Sequence, residues 1–356
     1  MPQRILVINP GSTSTKIGVF QDGAELFTQS VAHTAEELAR FSTIASQFEF
    51  RERCIRDALI AKQFDIRSLS CVVGRGGLLK PIPGGTYAVN AAMLDDLRNA
   101  RYGEHASNLG ALIANAIASE IGLPSYIVDP VVVDELSEVA RIYGHKLFRK
   151  QSIFHALNQK AVARRWASEH ARQYEDVKLV VAHMGGGVSV GYHDHGRVVD
   201  VNNALNGEGP FSPERAGTLP SGALTKLCFS GTYTEKEVMK MINGQGGMVS
   251  LAGTNDMRVL EARHLAGDAQ ATVVYEAFIY YVGKAIGGLA AAAEGKLDGI
   301  ILTGGIAYGK LVQEGLKRMV GWMAPVTVYP GEGELEALAF AGARVLDEPK
   351  SAQEYH

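Results

Sequence analysis

Leu179-Val-Val-Ala-His-Met-Gly-Gly-Gly-Val-Ser-Val-Gly-Tyr-His-Asp-His-Gly196 is the stretch from which the organisation of the chain can be read. An apolar run enters, three consecutive glycines follow, alternation resumes through Val188, Val190 and Tyr192, and Asp194-His195-Gly196 supplies turn residues. That pattern predicts a β-hairpin with a glycine-lined bend. Glycine tolerates φ > 0 and close approach of a ligand, so successive N–H groups of such a bend can turn towards phosphate oxygens. The chain opens on the same design. Leu6-Val-Ile-Asn-Pro-Gly-Ser-Thr-Ser-Thr-Lys-Ile-Gly-Val-Phe-Gln-Asp-Gly23 aligns with the middle stretch without a gap, matching Ile17 to Val190 and Gly18 to Gly191. Such an echo signals an internal duplication. A single Gly-rich turn is as readily a plain tight hairpin; two of them, with Ser12, Thr13, Ser14 and Lys16 in the first, suggest a nucleotide held between two related lobes.

Bulk composition narrows the class. A chain of 356 residues with 46% apolar and 21% charged residues has the makings of two ordinary soluble cores. The net charge of -3, without a dense Lys/Arg run, argues against a nucleic-acid surface. Cys54, Cys71 and Cys228 are scattered and odd in number, so they form neither a disulfide framework nor a CxxC metal site; buried apolar positions in a reducing cytoplasm are expected. Arg4 is followed at once by strand-like sequence, unlike a signal peptide. The longest apolar run, Ala277 to Ala293, is interrupted by Lys284 and glycines and reads as a buried helix rather than a membrane span.

Taken in order, Thr34 and Glu37 are spaced as a capping box and open a helical region reaching about Ala61. A short strand from Leu69 to Gly74 delivers Arg75-Gly76-Gly77 at its carboxyl end, where ligands gather in α/β sheets; a surface turn is the equal alternative. A helix is expected from Glu104 to Gly122, with His105 at its start, and then a strand from Ser125 to Val133. Asp129 precedes a proline there, either as a turn former or as a carboxylate orienting a cation. The helix His155 to Ala171 should bridge the lobes with a polar face of Gln159, Arg164, Arg165 and Glu169. The Gly/Pro-rich loop from Asn206 to Gly217 offers Arg215 as a second anion clamp or as a solvated loop residue. Gly253-Thr-Asn-Asp-Met-Arg258 is a turn before a helix, and Val273 to Glu294 is helical. The strand Gly299 to Ala307 ends in Thr-Gly-Gly, where bare backbone would let adenosine lie close; a tight strand-to-helix turn explains it equally. A last strand and loop, Val326 to Glu334, precede a helix from Leu335 to about Leu346 that should fold back onto the first lobe.

The usual nucleotide fingerprints are missing: there is no GxxxxGK[ST] and no GxGxxG after a strand. Alternating strands and helices, a duplicated hairpin head and a late Thr-Gly-Gly resemble the superfamily of sugar kinases, 70-kDa heat-shock chaperones and actin. Within it, Ile8-Asn-Pro-Gly-Ser-Thr-Ser-Thr-Lys16, Gly74-Arg-Gly-Gly77, Phe154-His155 and Ala182-His-Met-Gly-Gly-Gly187 resemble the motifs of the acetokinase family nearly end to end. The resemblance implies an α/β, duplicated two-lobe, actin-like (ribonuclease H-like) ATPase fold with a nucleotide cleft between lobes. Lobes of 1–149, completed by 335–356, and 150–334 are expected. The segment Gly209-Pro-Phe-Ser-Pro-Glu-Arg-Ala-Gly-Thr-Leu-Pro220, Asn9-Pro10, and the ending Pro330-Gly-Glu-Gly-Glu334 depart from the acetate-specific pattern. They resemble the branch acting on butyrate or branched short-chain acids, with acetate or propionate as the alternative substrate. A chaperone-like or filament-forming ATPase is the rival of another class, and it gives no reason for two arginines. A sugar or polyol kinase would want a carboxylate base, for which Asp129 is the local candidate.

A carboxylate that attacks the γ-phosphorus of ATP is already ionised, so catalysis must come from alignment and charge neutralisation. By resemblance, Arg75 holds the carboxylate or acyl phosphate, Arg215 stabilises the transferring group, and His183 donates a hydrogen bond to it. Asn9 and Glu334 are implied at Mg²⁺, with Glu332 not separable from Glu334; Asp129 orients an arginine or the metal shell, and His155 matches a family site position. Ser12, Ser14, Lys16, Gly185, Gly186, Gly187, Asp256, Met257, Arg258, Gly304 and Gly305 are expected around ATP/ADP, and Phe154 as a wall of the acid pocket. The partners implied are a short-chain carboxylate and its acyl phosphate, with neither nucleic acid nor membrane, and a homodimer or larger assembly.

Overall fold

Two sheets carry the chain, and each begins with an antiparallel meander. A computed structural model describes residues 2–356, which fall into two compact units, one running to Val133 and resumed at Gly333–His356, the other spanning Asp134–Glu332. The first sheet comprises β1 (Arg4–Pro10), β2 (Ser14–Gln21), β3 (Ala24–Ala32), β4 (Cys71–Arg75), β5 (Thr86–Ala88) and β6 (Ser125–Val128) in the order β3-β2-β1-β4-β6-β5. The second comprises β7 (Lys178–Met184), β8 (Val188–Asp194), β9 (Arg197–Val201), β10 (Gly299–Gly304) and β11 (Val326–Pro330) in the order β11-β10-β7-β8-β9.

Read from their meander edges, both sheets run antiparallel through three strands and then add two parallel ones. This is the ribonuclease H-like order, present twice. The duplication extends to detail. Register breaks fall between Val19 and Phe20 against β3 and between Tyr192 and His193 against β9, at matching places. The turns that follow place Asp22 and Gly23, and again His195 and Gly196, at positive φ, as tight hairpin turns require.

One expectation needs correction. The inner pair of the first hairpin is Pro10 with Thr15 and that of the second is Met184 with Val188, so four residues close one bend and three the other. The echo is therefore not gapless in space, and Asn9, which pairs with Lys16, corresponds to His183, which pairs with Ser189. The parallel registers agree: Ile8 lies beside Gly74 and Ala182 beside Leu302, so Arg75-Gly76-Gly77 is the counterpart of Thr303-Gly304-Gly305.

Apolar alternation explains why these segments form sheets. In the first unit Leu6, Ile8, Ile17, Val19 and Val72 pack against Leu109, Leu112, Ile113 and Ile117 of the helix Asn108–Glu120. In the second, Val180, Val190, Ile300 and Leu302 pack against Tyr275, Phe278, Val282 and Ile286 of the helix Ala269–Ala292. Each fully buried side chain of this size contributes about 1.5–3 kcal/mol. That second helix starts earlier than the pattern at Val273 suggested, because Asp268 caps it by accepting from Ala271 N–H. None of the helices among the described residues is long and apolar enough to cross a membrane.

Other boundaries differ for local reasons. The helix expected from Glu104 starts at Asn108; residues before it are held in a turn in which Ser107 N–H donates to His105 Nδ1. The strand expected to reach Val133 stops at Val128, since Asp129 takes φ 36°. The unit boundary lies at Val133/Asp134 where 149/150 was expected: Ser137 N–H donates to Val199 O and Glu135 binds Lys160, which ties this segment to the second unit. The helix Ala156–Glu169 lies within that unit, and Gln159 is buried rather than on a polar face. The capping box at Thr34 and Glu37 is present. Cys71 is buried, with its thiol pushed up to about 12 by desolvation, whereas Cys54 is only half-buried and Cys228 is exposed, against expectation.

Candidate active site

In the first unit, the carboxyl end of β4 is held in place by glycine contact. A Cβ on Gly74 would lie 2.3 Å from Gly110 O, and one on Gly110 would lie 2.2 Å from Arg75 O. Strand and helix can approach this closely only because both residues lack side chains. Arg75 is thereby fixed, and its Nη1 donates to Asn9 Oδ1 (3.2 Å) and Glu334 Oε2 (3.1 Å). Asn9 Nδ2 also donates to Glu334 Oε2 at 2.6 Å. Glu334 begins the helix Glu334–Asp347, whose Gly342 sits against Val73 and Ile5, so the last helix packs on the first unit's sheet. Both Arg75 bonds use one terminal nitrogen; Nε and Nη2 make no hydrogen bond to the described residues and form the fork that matches a carboxylate.

The first bend is built from behind. Arg51, fully buried on the helix Phe48–Ala61, donates through Nη1 to Gly11 O (2.7 Å), Ser14 O (3.3 Å) and Thr15 Oγ1 (3.2 Å), and through Nη2 to Ser12 O (3.0 Å). Burial lowers its pKa, yet every bond is to an oxygen of the bend or, through Nε, to Gln47. Carbonyls drawn inward in this way favour N–H groups facing outward, which suits an anion. Ser12 and Lys16 are exposed and Ser14 half-buried. Asp129, at the end of β6, is buried and accepts from Gly85 N–H at 2.7 Å.

In the second unit, the glycine bend meets an arginine and two histidines. The rings of His155 and His183 stack at 3.8 Å between centroids and 11° between planes. His183 Nε2 lies 3.2 Å from where a Cβ of Gly185 would be. A Cβ on Gly187 would lie 2.0 Å from Arg215 Nη1 and 3.3 Å from His155 Cε1. Arg215 is anchored by donation from Nη1 to Ala204 O (2.7 Å) and from its N–H to Ser212 Oγ (3.1 Å), while Ser212 donates to Gly186 O (2.7 Å). Burial lowers the pKa of Arg215, with Glu214 opposing, from a value high enough that it stays charged.

Gly187 also leaves room for a guanidinium, since any side chain there would meet Arg215. Gly187→Ala should lower kcat roughly ten- to hundredfold by displacing Arg215 about an ångström, with the melting temperature nearly unchanged. Kinetics beside a thermal melt check this, and unimpaired turnover would refute it.

Next to this bend lies a cavity of about 750 Å³ lined by Gly185, Gly186, Asp256, Met257, Arg258 and Gly305, all anticipated, together with Glu214, Asn255, Glu261, Tyr308 and Glu332. That volume is within the range of small-molecule and nucleotide sites. Gly304 is not among its lining residues. Instead it takes φ 87°, exchanges backbone hydrogen bonds with Gly331 and passes within 2.3 Å, at its Cβ position, of Met184 O. Asp256 caps the helix Met257–Leu265, and its pKa is lowered to about 2 by the hydrogen bonds from Arg258. Asn255 lies within one segment singled out in sequence and Tyr308 adjoins another, but only the folded loops reveal that they reach the cavity. Glu332 is in the cavity wall and its carbonyl accepts from Asn158, whereas Glu334 joins Asn9 and Arg75, so the two glutamates have separate surroundings. Phe154 is buried and does not line the cavity.

No group of three or more His, Cys, Asp or Glu residues among the described residues could cage a metal. Mg²⁺ in phosphoryl transfer keeps waters and phosphate oxygens and takes one or two protein oxygens, so a cage is not required. Glu334 suits that mode, because its hydrogen bonds from Asn9 and Arg75 both fall on Oε2, with Oε1 left to meet a hydrated cation.

The model of the acetokinase family matches residues 136–320. A probable butyrate kinase of Clostridium botulinum is 56% identical over 355 residues, all of both chains. Butyrate kinase 1 of Clostridium acetobutylicum is 55% identical over 352 residues, 99% of each chain. Among solved structures, the acetate kinase of Porphyromonas gingivalis is similar at a TM-score of 0.78, covering 96% of this chain and 99% of that one at 17% identity, a likeness of fold.

Proposed function

The chain belongs to the acetokinase family, and from that premise we propose that it is a butyrate kinase, transferring the γ-phosphoryl group of ATP reversibly to butyrate or a branched short-chain acid to give the acyl phosphate and ADP. The observation that carries the reading is end-to-end identity of 56% and 55% with relatives named for butyrate. Support from the fold comes in two parts: a glycine-walled cavity with Arg215 at its bend, and an arginine fork at Arg75 suited to a carboxylate.

In this mechanism no base is needed, because the attacking carboxylate is ionised at neutral pH. Arg75 orients the acid through the free side of its guanidinium, while Asn9 and Glu334 hold the other side. Arg215, with His155 and His183 beside it, meets the negative charge on the equatorial oxygens of the transferring group, and the bends at Ser12–Ser14 and Gly185–Gly186 serve the phosphates. Lys16, Asp256, Met257, Arg258 and Gly305 complete the nucleotide contacts, Gly304 sets the backbone beside them, and Asp129 steadies the loop after β6. Glu334, with Asn9 beside it, would hold Mg²⁺ through water, and the ion when bound offsets charge on the ATP phosphates. Phe154 backs the acid pocket. The enzyme so read is a cytoplasmic homo-oligomer acting on diffusible acids, without a nucleic-acid or membrane partner.

One coupled assay tests the proposal: ATP formation from ADP and butyryl phosphate, run beside acetyl phosphate. Two extra methylenes at about 1–3 kcal/mol each predict a kcat/KM preference for the butyryl compound of at least about thirtyfold. A preference for acetyl phosphate would replace the substrate, and ATP hydrolysis indifferent to both would replace the reaction class.

A further inference from the structure

Behind the stacked pair His155 and His183 lie two buried hydrogen-bond chains, each of which can be read in only one direction. In the first, Gln159 Nε2 faces β8 and donates to Ser189 O (3.0 Å) and Ser189 Oγ (2.8 Å). A peptide carbonyl can only accept, so the amide cannot be turned around. Its Oε1 therefore faces His193 Nε2 at 3.0 Å and accepts from it. His193 is wholly buried and its pKa is pushed well below the ordinary value by desolvation, so the ring is neutral; with the proton on Nε2, its Nδ1 accepts from the Tyr174 hydroxyl at 2.7 Å. Ser189 Oγ, itself buried, is an acceptor for Gln159 and, at 3.4 Å, for the backbone N–H of His155. The one acceptor among its neighbours is His155 Nδ1 at 2.8 Å. A buried hydroxyl proton left without a partner is costly, so it goes there. Neutral His155 then carries its own proton on Nε2, next to the Cε1 edge that faces Gly187 and Arg215.

The second chain sets the other ring. Asn158 Nδ2 donates to Glu332 O at 2.5 Å, again a carbonyl that fixes the amide. Asn158 Oδ1 consequently accepts from His183 Nδ1 at 2.7 Å, and the Nε2 atom of neutral His183, at Gly185, presents a lone pair.

We infer that these chains lock the stacked imidazoles in opposite tautomers, His155 protonated on Nε2 and His183 on Nδ1, and that Gln159 and Ser189 are positioning residues for the donor His155 offers at the glycine bend. His183, to which donation was first assigned, supplies a hydrogen at Nε2 only as imidazolium. The catalytic consequence rests on the phosphoryl-transfer reading; the tautomers do not.

Long-range ¹H–¹⁵N spectra of histidine-labelled protein without ligands, at mildly alkaline pH, read the tautomers directly. One ring of each type at His155 and His183, assigned by His155→Gln and His183→Gln, is the expected result; the same tautomer in both, or the reverse assignment, overturns the inference. Gln159→Glu then inverts the first chain. Its carboxylate accepts the Ser189 proton, the hydroxyl lone pair turns to His155 Nδ1, and the ring proton moves to Nδ1. A His155 signal of the inverted type with kcat lowered roughly 10²-fold, the usual loss of one transition-state donor, is expected. An inverted signal with unaltered kcat refutes the positioning role, and should this variant not fold, the parent spectrum still decides the tautomers. Were the protein inactive on every acyl phosphate, the proposed function would fall while the spectra kept their meaning.

Discussion

Arg215→Ala should cut kcat by roughly 10²–10³-fold while leaving the protein folded and the KM for the acid within a few-fold. The argument starts from what its guanidinium does and does not bind. One nitrogen, Nη1, is tied to Ala204 O, and the ring of contacts at Gly187 and Ser212 fixes where the group lies; Nε and Nη2 make no hydrogen bond to the described residues. A buried, charged, oriented group with unused donors gains most when negative charge develops in front of it. In transfer to a carboxylate, that moment is the transition state, when charge spreads over the equatorial oxygens. Truncation orphans only one carbonyl, so stability falls little. Arg215→Lys should recover a minor part, because an ammonium supplies charge without the planar fork. Arg75→Ala makes the contrast. In the proposed mechanism its fork engages the acid in the ground state as well, so KM for butyrate should rise along with a fall in kcat. Near-normal kcat in Arg215→Ala, with a melting curve like the parent's, would remove this residue from the mechanism.

Much of the site was legible in the sequence because its parts are short and contiguous. The two bends, the strand ending in Arg75 and the strand ending in Thr303-Gly-Gly305 show themselves through apolar runs broken by glycine, and these patterns are local. The separation of Glu332 from Glu334 was not legible, since it depends on where a loop ends and a helix begins: Glu334 is the first helical residue and falls beside Asn9, two positions after a glutamate that lines the cavity. Gln159 was read from the sequence as part of a polar helix face. Its burial follows from Ser189 and His193, strand residues distant in sequence whose polar atoms need an amide. The one-residue difference between the bends escaped for a similar reason. A gapless alignment scores side chains, whereas strand register decides which residues are partners, and a slip of one moves every side chain to the other face. Arg51 gave no signal at all, being one basic residue in a charged helical run.

Arg51 carries the other large effect. Arg51→Met should lower the stability of the first unit by about 2–4 kcal/mol and raise the KM for ATP. Two terms oppose each other. Removing a buried cation recovers its desolvation cost, which is why burial lowers its pKa. Against that, the carbonyls of Gly11 and Ser12 lose their donor, while Ser14 O keeps only Gly11 N–H and the Thr15 hydroxyl only His33, and an orphaned buried acceptor costs about 1–3 kcal/mol. Water entering the vacated space offsets part of this, so the sum is put below the full total. Neighbouring His33 cannot substitute: its pKa is lowered by burial and by the Arg51 charge, and it already meets Thr15 Oγ1 at 2.9 Å. With the carbonyls released, the bend loses the force that turns its N–H groups outward, and phosphate binding should weaken with it. Arg51→Lys restores charge but cannot reach Gly11 O and Ser12 O with two separate nitrogens, so it should fall between the parent and the methionine variant in both measurements. Chemical denaturation and ATP titration of the three proteins read the effect, and an Arg51→Met protein as stable as the parent with unchanged KM would show that the bend holds its shape without the buried guanidinium.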